Sequence, residues 1–231
     1  MATEDFSDSD VWVPTDPGSD YTITAARVEA ATMTRARDAS VVRDMGVDAI
    51  GDFSGVTFTV NPTAQSGADF KQYPFLCVSN LATPTQGDMN VANSGLAFNF
   101  FDDTAAPRYF IRVKDYDDNE ADQYNIALDA LNVPYYIKLS RAGDIFTAVI
   151  YSDPTRLLEV DTVLLNGTAA TTLFRYVGVV CGDEEGASTI NLSFYTEDLD
   201  LNLGGESFTA KFRKTFSGIG TGVGKRQVIG V

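Results

Sequence analysis

The most constraining feature of the sequence is an apolar hairpin pattern over residues 133–154, VPYYIKLSRAGDIFTAVIYSDP. Two runs rich in Tyr, Ile, Val and Phe flank the polar residues 141–144, which is the composition of a β-hairpin with a tight turn. In the first run, alternation places Tyr135, Ile137 and Leu139 on one face of the strand. We expect this hairpin to lie at the centre of the fold.

The second run of the hairpin is apolar on both faces. Phe146, Ala148 and Ile150 share one face, and the opposite face also carries apolar side chains. A strand that is wet on one side does not need such a pattern, whereas a strand inside a two-layer sandwich does. The hairpin therefore favours a β-sandwich over a single open sheet.

Strand-length apolar runs separated by turn chemistry recur along the rest of the chain. About a dozen such runs, at a spacing of roughly 8–14 residues and without a long amphipathic helix, predict an all-β antiparallel sandwich of the jelly-roll type. A length of 231 residues fits one such sandwich. The predicted strands are a lead-in strand within 5–24, two short strands within 25–45, and strands at 52–60, 73–81, 95–101, 108–114, 124–128, 157–165, 173–181 and 190–203, with loops at 61–72 and 82–94.

The absence of histidine removes several classes of chemistry. The chain contains no His, which excludes Ser–His and Cys–His catalysis and imidazole metal ligands. Cys77 and Cys181 are the only cysteines, and without a zinc spacing we interpret both as small buried hydrophobic residues. No apolar run is long enough for a membrane span, and the N-terminus lacks a signal-peptide pattern, so we expect no cleaved leader and no membrane partner.

Acidic residues dominate the charge of the chain. Its 32 acidic residues are 24 Asp and 8 Glu, and the net charge is −15. Asp favours turns, so this bias agrees with many loops and little helix. Trp12, the only tryptophan, has two interpretations that the sequence leaves open: a core or sandwich-edge anchor, and an exposed platform for sugar stacking.

The C-terminal segment differs from the rest of the chain. Residues 206–231 carry five basic residues and one acidic residue, a net charge of +4, whereas the first 205 carry 12 basic and 31 acidic residues, a net charge of −19. The −19 body argues against nucleic acid as its partner. We expect a sandwich domain over 1–205 and a Gly-rich basic arm over 206–231. The arm is either a mobile terminus or a docking segment that orders against an acidic surface. Its proposed docking residues are Phe208, Phe212, Phe216, Lys225 and Arg226.

An acidic cluster at residues 115–122, DYDDNEAD, is a candidate metal site. Asp115, Asp117 and Asn119 match the first three ligand positions of an EF-hand loop. Glu120 stands where that loop requires glycine, and Ile126 stands where it requires a bidentate glutamate, so the EF-hand interpretation fails. Two alternatives stay open: a looser Ca²⁺ site in a sandwich loop, and a solvated hairpin turn. No other cofactor is expected.

Residues 159–163, EVDTV, are similar to the E-x-D-x-E strand motif of laminarinase-type glucanases. In that motif the two glutamates act as nucleophile and acid, and here Val163 occupies the second glutamate position. Retaining hydrolysis requires both carboxyl groups. We therefore predict that the chain is not an enzyme and that Glu159 and Asp161 are outward residues of a strand.

Several stretches together carry a family resemblance. Residues 135–144, YYIKLSRAGD, match a "Y-x-[KR]-[LV]-x-R-x-G" pattern that precedes a strand in concanavalin A-like (laminin-G/lectin-type) sandwiches. The opening DFS…TDPGSDYTITAARV and the closing TEDLDL are similar to sandwich proteins encoded by tailed viruses. The resemblance covers roughly residues 5–203. It implies a jelly-roll fold and a role as a glycan-binding module or a virion surface protein.

Two functional hypotheses follow from this resemblance. In the first, the chain is a non-enzymatic virion structural protein, a capsid-decorating or tail-fibre component. It would be made in the host cytoplasm, form a homo-oligomer, and dock onto other virion proteins through its C-terminal arm. In the second, it is a carbohydrate-binding module whose glycan contacts come from loops that carry Asp102, Asp103 and Tyr109.

Overall fold

Nearly all of the regular structure in the described part of this chain is β-strand. The computed structural model describes residues 3–34, 39–66, 71–103, 108–116, 120–126, 131–166, 173–182 and 191–202. Within these ranges there is one helix, α1 (Gln86–Ala92), and no helix is long and apolar enough to cross a membrane. The strands are β1 (Trp12–Thr15), β2 (Tyr21–Ile23), β3 (Arg27–Thr34), β4 (Ser40–Asp44), β5 (Phe53–Ser66), β6 (Lys71–Ser79), β7 (Leu96–Asp103), β8 (Arg108–Asp115), β9 (Glu120–Ile126), β10 (Tyr135–Ala142), β11 (Ile145–Tyr151), β12 (Glu159–Asn166), β13 (Tyr176–Val179) and β14 (Asn191–Asp200).

The strands form two seven-stranded antiparallel sheets that pack face to face. Sheet A has the order β1-β4-β13-β6-β7-β8-β9, and sheet B has the order β12-β11-β10-β5-β14-β3-β2. The predicted all-β antiparallel sandwich is confirmed. Strands that are far apart in the sequence are neighbours in both sheets, because β13 and β14 each lie between two earlier strands.

The hairpin of β10 and β11 lies in the interior of sheet B, as predicted. Tyr135, Ile137 and Leu139 are buried on the first strand, and the register pairs Ile137 with Ile150. The strands extend further than the sequence indicated, up to a two-residue turn in which Gly143 has φ +61°. Glycine accepts this left-handed conformation without a steric penalty, so the turn can be this tight.

Aromatic residues join the two sheets in the core. Phe58 of sheet B meets Phe98 of sheet A edge-on, with ring centroids 5.4 Å apart. Trp12 is also buried, at 1% exposure, with its ring centroid 5.0 Å from that of Phe6. The core interpretation of Trp12 is therefore confirmed, and the exposed sugar-stacking interpretation is wrong.

The predicted loop at 61–72 is wrong. Strand β5 continues to Ser66 and β6 begins at Lys71, so strand structure occupies most of this stretch. The polar composition is misleading because β14 pairs with this part of β5, placing Tyr195 opposite Asn61. The Asn61 side chain is buried there and donates from Nδ2 to the Tyr195 hydroxyl at 3.1 Å.

The predicted loop at 82–94 is also wrong, because it contains α1. Thr85 caps the helix by accepting a hydrogen bond from the Asp88 amide at 3.0 Å, and Asn93 ends it at φ 46°. Met89 is fully buried against sheet A. A helix of seven residues is too short to show the 3.6-residue periodicity by which sequence analysis recognises helices.

The two short strands predicted within residues 25–45 exist, but they do not form a hairpin. β3 belongs to sheet B and β4 to sheet A, so the chain crosses between the layers at this point. The short segment between them lies outside the described residues, as does the C-terminal arm over 206–231. The division into a domain over 1–205 and an arm therefore stays a prediction.

Candidate functional site

The outer face of sheet B carries a row of polar and aromatic side chains that crosses six strands. The register aligns these residues laterally, since each is the direct neighbour of the next in the adjacent strand. Side chains in such a row point to the same side of the sheet and can contact one ligand that lies across the strands. The row is Arg27 (β3), Glu197 (β14), Thr59 (β5), Tyr136 (β10), Tyr151 (β11) and Glu159 (β12).

A β-bulge in β14 adds a carboxylate to this face. Glu197 pairs with Thr59 and Asp200 pairs with Thr57, so β14 has one residue more than β5 over this interval. Leu199 is fully buried in the core, and the extra residue is therefore Asp198, which is exposed at φ +53°. The bulge places the carboxylates of Glu197, Asp198 and Asp200 close together on this face, while Leu199 remains buried in the core.

A tight loop between β11 and β12 forms the opposite wall. The Asp153 carboxylate accepts hydrogen bonds from the amides of Leu157 at 3.1 Å and Leu158 at 2.6 Å, and from the amide and hydroxyl of Thr155. These bonds, led by that from the Thr155 hydroxyl, hold the pKa of Asp153 below its ordinary value. The loop places Arg156, at φ +55°, over the face of the sheet.

Between the loop and the bulge lies a groove of about 230 Å³. Thr57 and Thr59 form its floor on β5, and Tyr136 of β10 lines it beside them. Asp198 and Asp200 line one side, and Pro154 and Arg156 line the other, with Thr3 from the N-terminal segment. The groove therefore combines one aromatic ring, two carboxylates, one guanidinium and hydroxyl groups.

Arg156 is the cation that lines the groove, and only part of its hydrogen-bonding capacity is used by other protein groups. Its Nη2 donates to the Phe58 carbonyl at 3.4 Å, a long hydrogen bond. Its Nε is buried and has no hydrogen-bond partner within the described residues. Partial burial lowers the pKa of Arg156, while Asp198, Tyr151 and Tyr136 oppose this shift. A guanidinium in this state has donor capacity left for a ligand.

The far end of the row is held by a network of protein contacts. Arg27 Nε donates to Glu197 at 2.9 Å, and the guanidinium lies over the Tyr195 ring at 3.9 Å from its centroid. Tyr195 in turn accepts the hydrogen bond from Asn61. Since these groups satisfy one another, this end supports the groove and does not extend it.

The residues that the sequence predicted for glycan contact lie on the other sheet. The register pairs Asp102 of β7 with Tyr109 of β8, and Asp103 is the last residue of β7, so the three are close together along the backbone. Their side chains lie outside the described part of the structure. They are not part of the groove, and their role stays a prediction.

The candidate Ca²⁺ residues are only partly described. Asp115 ends β8 and is buried at 2% exposure, whereas Asp117 and Asn119 lie outside the described residues. Among the residues that the structure describes, no group of three or more acidic or Cys side chains is arranged to hold a metal ion. The proposed docking residues of the arm, from Phe208 to Arg226, also lie outside the described part.

The strand that resembles the glucanase motif is β12, at the edge of sheet B. Glu159 is exposed at its start, Asp161 is half-buried, and Val163 is buried in the core. The outward position predicted for Glu159 is confirmed. Glu159 lies at one end of the polar row, two strands away from Tyr136.

Comparison with known proteins gives likeness at the level of fold. No family profile and no curated protein matches the chain. The Ca²⁺/Man3GlcNAc-bound exoplasmic domain of VIP36 matches with a TM-score of 0.45 and 11% identity, over 83% of this chain and 85% of that one. The LamA catalytic domain of Zobellia galactanivorans matches with a TM-score of 0.45 and 8% identity, over 86% and 95%. The CBM2 module of an evolved Dit from Lactobacillus casei phage J-1 matches with a TM-score of 0.39 and 15% identity, over 74% and 76%.

At such identities and scores, shared ancestry, ligand and activity do not follow from the match. Whatever this chain binds must therefore be argued from its own side chains, and the groove on sheet B brings an aromatic ring, two carboxylates and a guanidinium together for that purpose.

Proposed function

We propose that this protein is a saccharide-binding β-sandwich whose binding site is the groove on the outer face of sheet B. The observation that carries the proposal is the meeting of Tyr136, Arg156, Asp198 and Asp200 around a groove of about 230 Å³. Three separate segments of the chain, namely β10, the β11–β12 loop and β14, supply these groups, so the groove exists only in the folded sandwich.

The chemistry of the groove suits a polyhydroxylated ligand. A sugar has apolar C–H faces that pack on an aromatic ring, and Tyr136 offers one. Its hydroxyl groups donate to carboxylates, here Asp198 and Asp200, and accept from a guanidinium, here Arg156. Ligand sites commonly combine an apolar surface with a few fixed polar groups in this way.

The test is binding of immobilised glucan, mannan and galactan oligosaccharides to the purified protein. We expect Tyr136→Ala and Asp200→Asn each to weaken the binding of any retained oligosaccharide at least tenfold, with the fold preserved. Tyr176→Ala is the matched control, because Tyr176 lies on β13 of sheet A, away from the groove. Binding of no saccharide, or equal binding by all variants, would contradict the proposal. Release of shorter products from a bound oligosaccharide would instead make the protein a glycoside hydrolase.

An assembly role is the second candidate, and a different surface favours it. At the edge of sheet B, Leu157, Leu158, Val160 and Leu164 are exposed, with Leu157 at 80%. Apolar side chains along an edge strand mark a contact site for another chain. We propose that the arm of a neighbouring copy docks on this edge, since the arm is basic and apolar and β12 carries Glu159 and Asp161. Such self-association is what a virion structural component would need.

Oligomeric state tests this second candidate. In analytical ultracentrifugation we expect the parent to self-associate and the double variant Leu157→Ser/Leu158→Ser to be monomeric. Val91→Ser is the control, because Val91 is equally exposed, at 84%, but lies on α1. A monomeric parent, or a double variant that assembles normally, would rule the candidate out.

A further inference from the structure

The two cysteines, 104 positions apart in the sequence, meet beside sheet A. Cys77 lies on β6, Cys181 follows the end of β13, and both are fully buried free thiols. Their sulfur atoms are 3.7 Å apart. Gly178 makes this approach possible, since a Cβ at that position would lie 2.8 Å from the Cys77 sulfur and 2.9 Å from the Cys181 sulfur.

A strained residue brings the second cysteine to the first. Val180 has φ +51°, which is a real outlier for a β-branched side chain. Its amide donates to the Phe75 carbonyl at 3.1 Å, and its carbonyl accepts a hydrogen bond from the Tyr21 hydroxyl. The Cys181 amide then donates to the Pro74 carbonyl at 2.9 Å. Two other segments of the chain, β2 and β6, therefore hold a costly backbone conformation that sets Cys181 against Cys77.

Helix α1 covers the pair. The two cysteines belong to a small second core with Met89 and Ala97, which is separate from the main core between the sheets. The Gln86 amide, at the start of α1, donates to the Gly182 carbonyl at 2.8 Å and so ties the cover to the residue after Cys181. Burial raises the pKa of the Cys181 thiol, which keeps it protonated and unreactive while the cover is closed.

We propose that Cys77 and Cys181 are a disulfide-forming pair that a small-molecule disulfide oxidises when the α1 cover opens. The thiolate of one cysteine attacks the oxidant and displaces one reduced thiol, giving a mixed disulfide. The second cysteine attacks that bond and displaces the other reduced thiol. The protein loses two protons and two electrons, the oxidant is reduced to two thiols, and one S–S bond joins β6 to the segment after β13.

The cross-link would strengthen the fold because it closes a long loop in the unfolded chain. The cross-link acts on β13, which is the last strand of sheet A in the order of the chain. This strand lies between β4 and β6 and so joins the two parts of the sheet. Oxidation would therefore fix a late strand of the sheet in place. The pair would form a stabilising disulfide cross-link in an oxidising environment and remain as two thiols in a reducing one.

The test exposes the reduced full-length protein to oxidised glutathione, with mass spectrometry and thermal melting as readouts. We expect a mass decrease of about 2 Da, as two hydrogens are lost, no remaining alkylatable thiol, and a melting temperature higher by roughly 5–15 °C. If the reaction requires local opening of α1, low concentrations of urea, which favour exposure of buried surface, should accelerate it. A stable glutathione adduct, a disulfide between two chains, or an unchanged melting temperature after oxidation would overturn the proposal.

Variants separate the cross-link from other effects of oxidation. Cys77→Ser and Cys181→Ser should each form only a glutathione adduct or stay reduced, and the double variant should melt at the same temperature with and without oxidant. Gly178→Ala should slow intramolecular oxidation, because the new methyl group would lie too close to both sulfur atoms and displace them. If Gly178→Ala does not fold, the serine variants alone decide the outcome. A rise in melting temperature for the double variant would contradict the proposal.

Discussion

Two residues that line the groove have backbone conformations that non-glycine residues rarely adopt. Arg156 has φ +55° and Asp198 has φ +53°. Each such conformation costs on the order of 1–3 kcal/mol and persists only where neighbouring bonds fix it. For Arg156 these are the bonds to Asp153, and for Asp198 an amide hydrogen bond to the Ala26 carbonyl at 3.0 Å. The strain is thus placed where two charged side chains must project over the sheet.

Asp153 predicts a pH dependence of binding. Because its pKa is lowered in the fold, the folded loop favours the ionised carboxylate, so the contribution of Asp153 is complete above its ordinary pKa of 3.8. The contribution is lost as the pH falls through the lower folded value. We expect Asp153→Asn to reduce saccharide affinity several-fold at pH 7, because it loosens the loop that carries Arg156. The affinity of the parent should fall to that of the variant only below pH 3.8.

The control for this prediction is Asp144→Asn, since Asp144 is exposed in the β10–β11 turn and makes none of the bonds of the loop. The saccharide affinity of Asp144→Asn at pH 7 should equal that of the parent, as measured by isothermal titration calorimetry. If Asp153→Asn binds as the parent does, the loop is held by other contacts and Asp153 is not its organiser.

Core packing gives a second prediction at the scale of single residues. Ile137 is fully buried and Phe146 is 3% exposed, both between the sheets. Replacing either with Ala should lower the free energy of unfolding by about 2–5 kcal/mol, because a cavity is left in a two-layer core. Lys138→Ala, at an exposed position of the same strand, should change it little. Chemical denaturation measures all three, and equal stabilities would show that the hairpin is not central.

At the scale of the element, the bulge in β14 makes a prediction that ordinary strands do not allow. If Asp198 is deleted, Glu197 still faces Thr59, Leu199 still enters the core and Asp200 still faces Thr57, because Asp198 is the residue without a counterpart. We expect this deletion to leave the fold within about 1–2 kcal/mol of the parent while saccharide affinity falls. Thermal melting and the binding assay measure the two effects separately.

Deletion of Lys138 is the matched control. Lys138 lies in a regular stretch of β10, between Ile137 and Leu139, so removing it moves core residues to the outer face. That variant should not fold. If deleting Asp198 were equally harmful, the bulge would be a structural necessity and not a means of presenting a carboxylate.

Sequence patterns predicted the strands but not the groove, and β14 explains the difference. Alternation in INLSFYTEDLDLNL is clear enough to identify a strand, and Phe194 is buried as such a pattern requires. The bulge at Asp198 has no local signature, and the residues paired with β14 lie at least 125 positions earlier in the sequence. Tyr136 likewise reads as an ordinary hairpin residue until the register sets it beside Thr59. The cue that could have been used is three carboxylates in the four residues 197–200.

For the whole molecule, the charge asymmetry between body and arm leads to a fourth prediction. The arm at +4 and the body at −19 attract one another, which suits docking between copies. We expect deletion of residues 206–231 to leave a folded sandwich and to abolish self-assembly, as measured by light scattering and circular dichroism. A truncated protein that does not fold would make the arm a strand of the domain. A truncated protein that assembles normally would disprove the docking role.

The order of strands also determines when this chain can fold during its synthesis. Strands β2 and β3 reach the rest of sheet B only through β14, and β1 and β4 reach the rest of sheet A only through β13. A ribosome must therefore release β13, up to Val179, before sheet A can close, and β14, up to Asp200, before sheet B can close. Until then the first four strands can form only the pairs β1–β4 and β2–β3, whose apolar faces are not covered by the rest of their sheets, and this is the condition in which nascent chains aggregate. In both sheets the last strand to be synthesised takes an interior position. A chain interrupted before β13 would therefore lack a complete sheet of either kind.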